Sequence, residues 1–138
     1  MTDPILLDTC AAIWIAEDQE LSDKAVAALD KTFDRDEIVY ISPITAWEVG
    51  LLMAKGRIAS PIGPKEWFSR LTSTSNTALA GMPPDILIES SYLPGEPPRD
   101  PADRIILATA REYGFAVMTR DRTILDYAQA GHLKVIAC

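Results

Sequence analysis

Residues 99–110 read RDPADRIILATA, and this stretch decides how the rest of the chain is laid out. Asp100 followed by Pro101 has the form of a helix N-cap with proline at the first helical position. Asp103, Ile106, Leu107 and Ala110 then recur at i, i+3, i+4 and i+7, one face of a helix that should point into the protein. A carboxylate therefore heads an apolar stripe. An acid in the first turn completes a cap and favours the positive end of the helix dipole, and that explanation suffices while the stretch is taken alone.

Upstream of this helix, residues 5–7 form a short apolar run that stops at Asp8, as a buried strand would. A helical pattern follows over about 10–17. Ser22 caps a second helix reaching about residue 33, with Val26, Leu29 and Phe33 on one face. Residues 37–41, EIVYI, are β-branched and aromatic and read as the second strand. Ser42 and Pro43 open a helix over 44–55 that Gly56 stops. A short helix over 64–71 and a short strand over 77–80 come next. Pro83 and Pro84 start another helix, with Ile86, Leu87 and Ser90 inward, and residues 93–99, LPGEPPR, are a loop.

Downstream, AVMT at 116–119 reads as a strand, 122–130 as a helix ended by Gly131, and KVIA at 134–137 as the last strand. Strands alternate with helices, and none shows the period-two pattern of a half-exposed sheet. The expectation is a single domain over 1–138, a three-layer α/β/α sandwich around a mostly parallel sheet. A length of 138 residues fits one core.

Apolar residues make up 48 % of the chain and charged residues 24 %, an ordinary globular composition. Met1 to Leu7 has neither a basic region nor an apolar leader, and no apolar run approaches a membrane span, so a cytoplasmic protein is expected. Cys10 and Cys138 give no disulfide framework and no metal-ligand spacing. The net charge of −7 argues against broad nonspecific attraction to nucleic acid. It does not exclude a nucleic-acid enzyme, because acids that converge on a divalent cation turn the cation into the phosphate-binding element.

In open parallel sheets, sites form beyond the carboxyl ends of the strands. Asp8 and Asp121 fall there, although either could simply cap the helix that follows. Glu48 shares a stripe with Ile44, Leu51 and Leu52 and lies past the capping turn, which leaves a buried pair with an arginine, a place at the edge of the stripe, or a functional role. The helix of Asp103 also begins where strands end. Asp8, Glu48, Asp103 and Asp121 would thus meet on one rim. At an effective dielectric near 20, a like-charge pair about 4 Å apart costs roughly 4 kcal/mol. A divalent cation removes that conflict, and oxygen ligands without cysteine or histidine suit Mg²⁺ or Mn²⁺ and phosphoryl-ester chemistry.

LLDTC with Asp8, WEVGLL with Glu48, RDPADRIILATA with Asp103 and VMTRD with Asp121 resemble, in order and spacing, the four acidic motifs of PIN-domain ribonucleases of the VapC toxin type. The resemblance covers nearly the whole chain. It implies Mg²⁺- or Mn²⁺-dependent cleavage of RNA, a homodimer, and neutralisation by a small cognate antitoxin lying in an apolar groove of helices from the first half of the chain. It makes Asp8, Glu48, Asp103 and Asp121 the metal and catalytic acids, with Thr9 and Thr119 as supporting hydroxyls. Related toxins often carry a histidine just before the Arg-Asp-Pro segment, where this chain has Pro98.

His132, the one histidine, follows Gly131 in a turn and makes a histidine acid–base ribonuclease a poor fit. Trp14, Trp47 and Trp67 sit in or beside helical segments, and core packing is the expected use of each. A phosphoacceptor receiver domain would want paired acids after the first strand and a lysine at the end of the last, whereas this chain has Asp-Thr-Cys and begins its last strand with Lys134. A haloacid-dehalogenase-type phosphatase would want an acid where Cys10 stands. A non-catalytic binding module with the same fold is the remaining alternative.

Overall fold

Ile5, Leu6 and Leu7 form β1 (Ile5–Leu7), in which every side chain is buried. The computed structural model describes residues 3–138, so the first two residues of the 1–7 segment lie outside it. Ile5 and Leu7 enter one apolar cluster and Leu6 another, because successive side chains leave a strand on opposite faces. Each such side chain contributes roughly 1.5–3 kcal/mol by leaving water. A strand buried on both sides has no polar face to alternate with, and that accounts for its uninterrupted apolar sequence.

Four further strands complete an all-parallel sheet: β2 (Val39–Ile41), β3 (Thr77–Leu79), β4 (Ala116–Thr119) and β5 (Lys134–Ala137), in the order β3-β2-β1-β4-β5. Leu6 pairs with Tyr40 on one side and Val117 on the other. On the face of Ile5 and Leu7 pack α1 (Thr9–Ala16), α2 (Asp23–Asp34) and α4 (Pro64–Thr72), through Ala11, Ala12, Ala25, Leu29, Phe68 and Leu71. On the face of Leu6 pack α6 (Pro101–Tyr113), α7 (Arg122–Gln129) and the start of α3 (Pro43–Ala54), through Ile106, Leu107, Ala110, Ile124, Tyr127 and Ile44. The short α5 (Pro84–Glu89) lies against α6.

Strand order reverses between β1 and β4: from β1 the chain runs outward through β2 and β3, then returns to β1's other side. In such sheets the crevice beyond the carboxyl ends of the strands at that switch is where ligands bind. The local signals that build the crevice behave as the sequence indicated. Asp100 accepts a hydrogen bond from the Asp103 amide and Pro101 opens α6; the helix ends at Gly114, which the sequence reading did not mark, with φ 73°, a left-handed conformation that glycine adopts without strain.

Several inward assignments turn out differently. On α2, Leu29 is buried but Val26 and Phe33 are 44 % and 45 % exposed, because Ala25 takes the place against the sheet. On α5, Ile86 and Ser90 face inward and Leu87 does not. On α3, the buried positions are Thr45 and Val49, so the inward face is rotated away from Leu51. Trp67 is buried and Trp14 half-buried, whereas Trp47 is 60 % exposed and is no core residue. No described helix is long and apolar enough to cross a membrane.

Candidate functional site

Asp8 stands one residue past β1, at the switch crevice, and is 4 % exposed. Both of its oxygens are engaged. Oδ1 accepts the Ala11 amide at 2.7 Å, which makes Asp8 the N-cap of α1, and Oδ2 accepts the Thr119 hydroxyl at 2.5 Å. Thr119 ends β4, and its Oγ1 also accepts the Asp121 amide at 3.0 Å. One hydroxyl therefore ties the ends of β1 and β4 together across the crevice. Burial pushes the Asp8 carboxyl above its ordinary value and the Asp121 charge adds to this, while the Thr119 and Ala11 bonds and the Arg120 charge act against it.

Asp121 is the N-cap of α7, accepting the Thr123 amide at 2.8 Å and the Thr123 hydroxyl at 2.6 Å. For Asp8 and Asp121, capping and membership of the rim are thus compatible, since a helix that follows a strand in this fold starts at the strand's carboxyl end. Their carboxylates do two things at once.

Glu48 lies half-buried in the second turn of α3, on the flank of the Thr45–Val49 face. The arginine partner that a buried pair would require is absent among the described residues, and the half-buried place on the flank is compatible with an edge position. Glu48 Oε1 accepts the Thr9 hydroxyl, and Thr9 lies 3.1 Å from the Thr45 hydroxyl. Burial raises the Glu48 pKa, and the Asp100 and Asp8 charges raise it further against the Thr9 bond.

Asp103, in the first turn of α6, accepts no hydrogen bond from the described residues and is pushed up to about 7 by burial and by Asp100, Asp121, Glu48 and Asp8. The thiol of Cys10, one residue into α1, feels all four predicted acids and is pushed up to about 11 by burial and by their charges. The four carboxylates therefore occupy one electrostatic neighbourhood. Among the described residues no three acid, cysteine or histidine side chains stand close enough to grip one ion as placed. The donor set nonetheless fits a hard divalent cation, being all oxygen, crowded and short of positive charge.

Two contributors escape a reading of the sequence. The pattern marks Asp100 only as a cap, yet among the neighbouring charges it has the largest influence on both Asp103 and Glu48. The signal is present, since an N-cap and the third helical residue lie on the same first turn. Thr45 carries no signal of its own, because a threonine one turn before a glutamate is common in helices.

Residues named for rival readings sit elsewhere. Lys134 begins β5 at the opposite edge of the sheet and pairs with Asp3 at 3.0 Å, which removes the receiver-type lysine from the acids. His132 packs on Tyr127 at that same edge. Pro98 is buried, and its carbonyl accepts from Arg104 Nε at 2.6 Å, so it anchors the start of α6.

Comparison with known proteins identifies the family. The PIN domain family model matches residues 5–130. Ribonuclease VapC22 of Mycobacterium tuberculosis is 35 % identical over 124 residues, covering 89 % of this chain and 91 % of that protein. Two crystal structures share the fold. VapBC2 from Rickettsia felis bound to a promoter DNA fragment has TM-score 0.66 at 13 % identity, covering 96 % of this chain and 97 % of that one. DNA-bound VapBC from Salmonella typhimurium has TM-score 0.65 at 15 % identity, covering 99 % and 98 %. A five-stranded parallel sheet with acids gathered at its switch point, a family match over nearly the whole length and a relative at this identity lead to one conclusion: the chain is a VapC-type member of the PIN-domain family.

Proposed function

We propose that this protein is a metal-dependent endoribonuclease and the toxin of a toxin–antitoxin pair, with Asp8, Glu48, Asp103 and Asp121 as the metal-holding and catalytic acids and Mg²⁺ or Mn²⁺ as the ion. The observation that carries the reading is that four carboxylates from four separate elements influence one thiol, Cys10, and one another at the switch crevice. The name of the mycobacterial relative, a ribonuclease, supports RNA as substrate.

A bound divalent ion would polarise the scissile phosphate and supply an attacking water of lowered pKa. The chain's own residues prepare the place for it. Thr119 holds Asp8 Oδ2, and Thr9 holds Glu48 Oε1, so these two carboxylates are fixed in orientation before anything binds. The Asp103 carboxylate, which accepts no hydrogen bond from the described residues and is pushed up to about 7, can change protonation as the site fills.

The partner is a small antitoxin protein, supported by the VapBC assemblies that share the fold. Val26 and Phe33 on the outer face of α2 give such a segment apolar surface, and a small apolar cavity of about 100 Å³ lies beside Phe33, Ile15 and Leu71. The toxin is expected to act as a homodimer. Purification with the product of the neighbouring gene, release of the free chain, and assay on total RNA with Mn²⁺, Mg²⁺ or EDTA test the proposal. Cleavage that needs the ion and disappears in Asp8→Asn is the expected result. A folded, pure chain that leaves RNA intact with either ion would instead support the non-catalytic binding module.

A further inference from the structure

Arg120 lies between the two residues that close the crevice, Thr119 and Asp121, and the capping and acid network does not use it. Its guanidinium carbon sits 3.7 Å from the centroid of the Trp14 ring on α1. Nε donates to the main-chain oxygen of Cys138, the last residue, at 3.0 Å and Nη2 to the Glu20 carbonyl at 3.2 Å. The side chain thus spans the end of β4, the face of α1, the connection between α1 and α2, and the residue after β5. It is nonetheless exposed, and it forms none of the described salt bridges.

An exposed arginine normally loses considerable rotamer freedom when it takes a ligand. Here the stack and two main-chain oxygens have already fixed it. A guanidinium carries five N–H donors in a planar fork, so donors remain after these two bonds and its contact with the Cys138 thiol. Its charge reaches Asp8. Arg104 and Arg111 each donate to a backbone carbonyl, of Pro98 and of His132, and Arg122 pairs with Asp126, while Arg99 is exposed beside Asp100. A chain of net charge −7 that draws a polyanion to an acidic rim needs a fixed cation beside that rim, and a cation stacked on an aromatic ring is also the element that grips single-stranded nucleic acid.

We propose that Arg120, clamped on Trp14, is a substrate-binding residue that takes a backbone phosphate of the RNA strand on the Asp8–Asp121 side of the crevice. This rests on the ribonuclease reading. A purely structural staple would account for the main-chain bonds and the stack, and it makes a different prediction about salt.

The test measures kcat and KM on a single-stranded RNA oligonucleotide with Mn²⁺, from about 50 to 200 mM salt, for the parent, Arg120→Met, Arg120→Lys and Trp14→Phe, each normalised to its folded fraction by urea unfolding. Arg120→Met should raise KM about ten-fold with kcat little changed, as expected for loss of one charge-assisted bond. It should also lower the slope of log KM against log salt by about one. Arg120→Lys should keep the slope, because it keeps the charge, while raising KM through loss of the flat stack. Trp14→Phe should lie between parent and Arg120→Lys. If folded Arg120→Met keeps the parent's slope, whether kcat falls or not, the residue is a staple and the inference fails alone. If Arg120→Met proves too unstable to assay, Arg120→Gln, which keeps N–H donors for the main-chain oxygens without the charge, decides on the same criterion: a slope lowered by about one supports the phosphate contact, and the parent's slope makes the residue a staple. A parent that does not cleave RNA overturns both this inference and the reading beneath it.

Discussion

Replacing Asp103 with asparagine should stabilise the metal-free protein, and the size of the gain should depend on pH in a defined direction. Asp103 has a folded-state pKa of about 7 against an ordinary 3.8. Between those values the folded state holds a proton that the unfolded state has released, so stability falls as pH rises through the window and stays reduced above it. The span corresponds to roughly 4 kcal/mol at full strength, and to about 2 kcal/mol once discounted for a site at the solvent boundary. The asparagine side chain behaves as the protonated acid at every pH. The assay is urea unfolding in EDTA at about pH 5 and about pH 8. Asp103→Asn should lead the parent by about 0.7 kcal/mol at the lower pH and by about 2 kcal/mol at the higher one. A helix-dipole role alone predicts the reverse, a loss of about 0.3–1 kcal/mol on removing a first-turn charge. Equal stability at the higher pH, or a less stable variant there, would refute the account of a crowded, uncompensated rim.

Glu48→Gln should fold at least as well as the parent, since the amide oxygen can still accept from Thr9 and no arginine is stranded; RNA cleavage per folded molecule should drop by orders of magnitude, measured by single-turnover assay. Thr119→Val removes the donor to a buried carboxylate oxygen and should cost about 1–3 kcal/mol in thermal or urea unfolding at neutral pH, with a smaller loss at about pH 3, where Asp8 is protonated. Mn²⁺ binding by isothermal titration should weaken sharply in Asp8→Asn and Asp121→Asn while circular dichroism stays unchanged. Hydrogen exchange with the neighbouring gene's product should show new protection over α2, centred on Val26 to Phe33, and none there counts against the docking face.

The architecture was readable because its signals are local. Ser22, Ser42 and Asp100 each cap the helix they announce, and the uninterrupted run of β1 can be a strand only if both faces are covered. What the sequence could not settle was rotation about a helix axis. Leu29 is common to the expected and observed buried faces of α2, but whether Ala25 or Val26 accompanies it depends on how closely the helix approaches the sheet, and the smaller residue wins where backbones come near. The same ambiguity misplaced Leu51 and Leu87. At the site, the acids were legible by position, while their threonine partners depend on long-range juxtaposition: Thr119 and Asp8 are 111 residues apart, and Thr9 and Glu48 are 39 apart. No periodicity encodes such pairs.

The rim also shows why capping and the gathering of acids coincide in this chain. Asp8 and Asp121 are N-caps and Asp103 lies in a first helical turn, so each carboxylate meets the positive end of a helix dipole. That attraction is worth about 0.3–1 kcal/mol apiece. One like-charge pair at about 4 Å opposes it with roughly 4 kcal/mol at an effective dielectric of about 20. The helix ends lower the cost of assembling the acids without cancelling it, and the pKa values of Asp8, Glu48 and Asp103 are raised first by burial and then by the neighbouring acids. Arg120 does not close the gap, because it acts on Asp8 and is directed toward Trp14 and two main-chain oxygens. The apo rim must therefore hold either protons or a cation of higher charge. Raising pH removes the first option, so affinity for a divalent ion should increase from about pH 5 to about pH 8 in the parent and much less in Asp103→Asn, whose titrating group is gone. A Mn²⁺ affinity with the same pH dependence in both proteins would place the titrating acid somewhere other than residue 103.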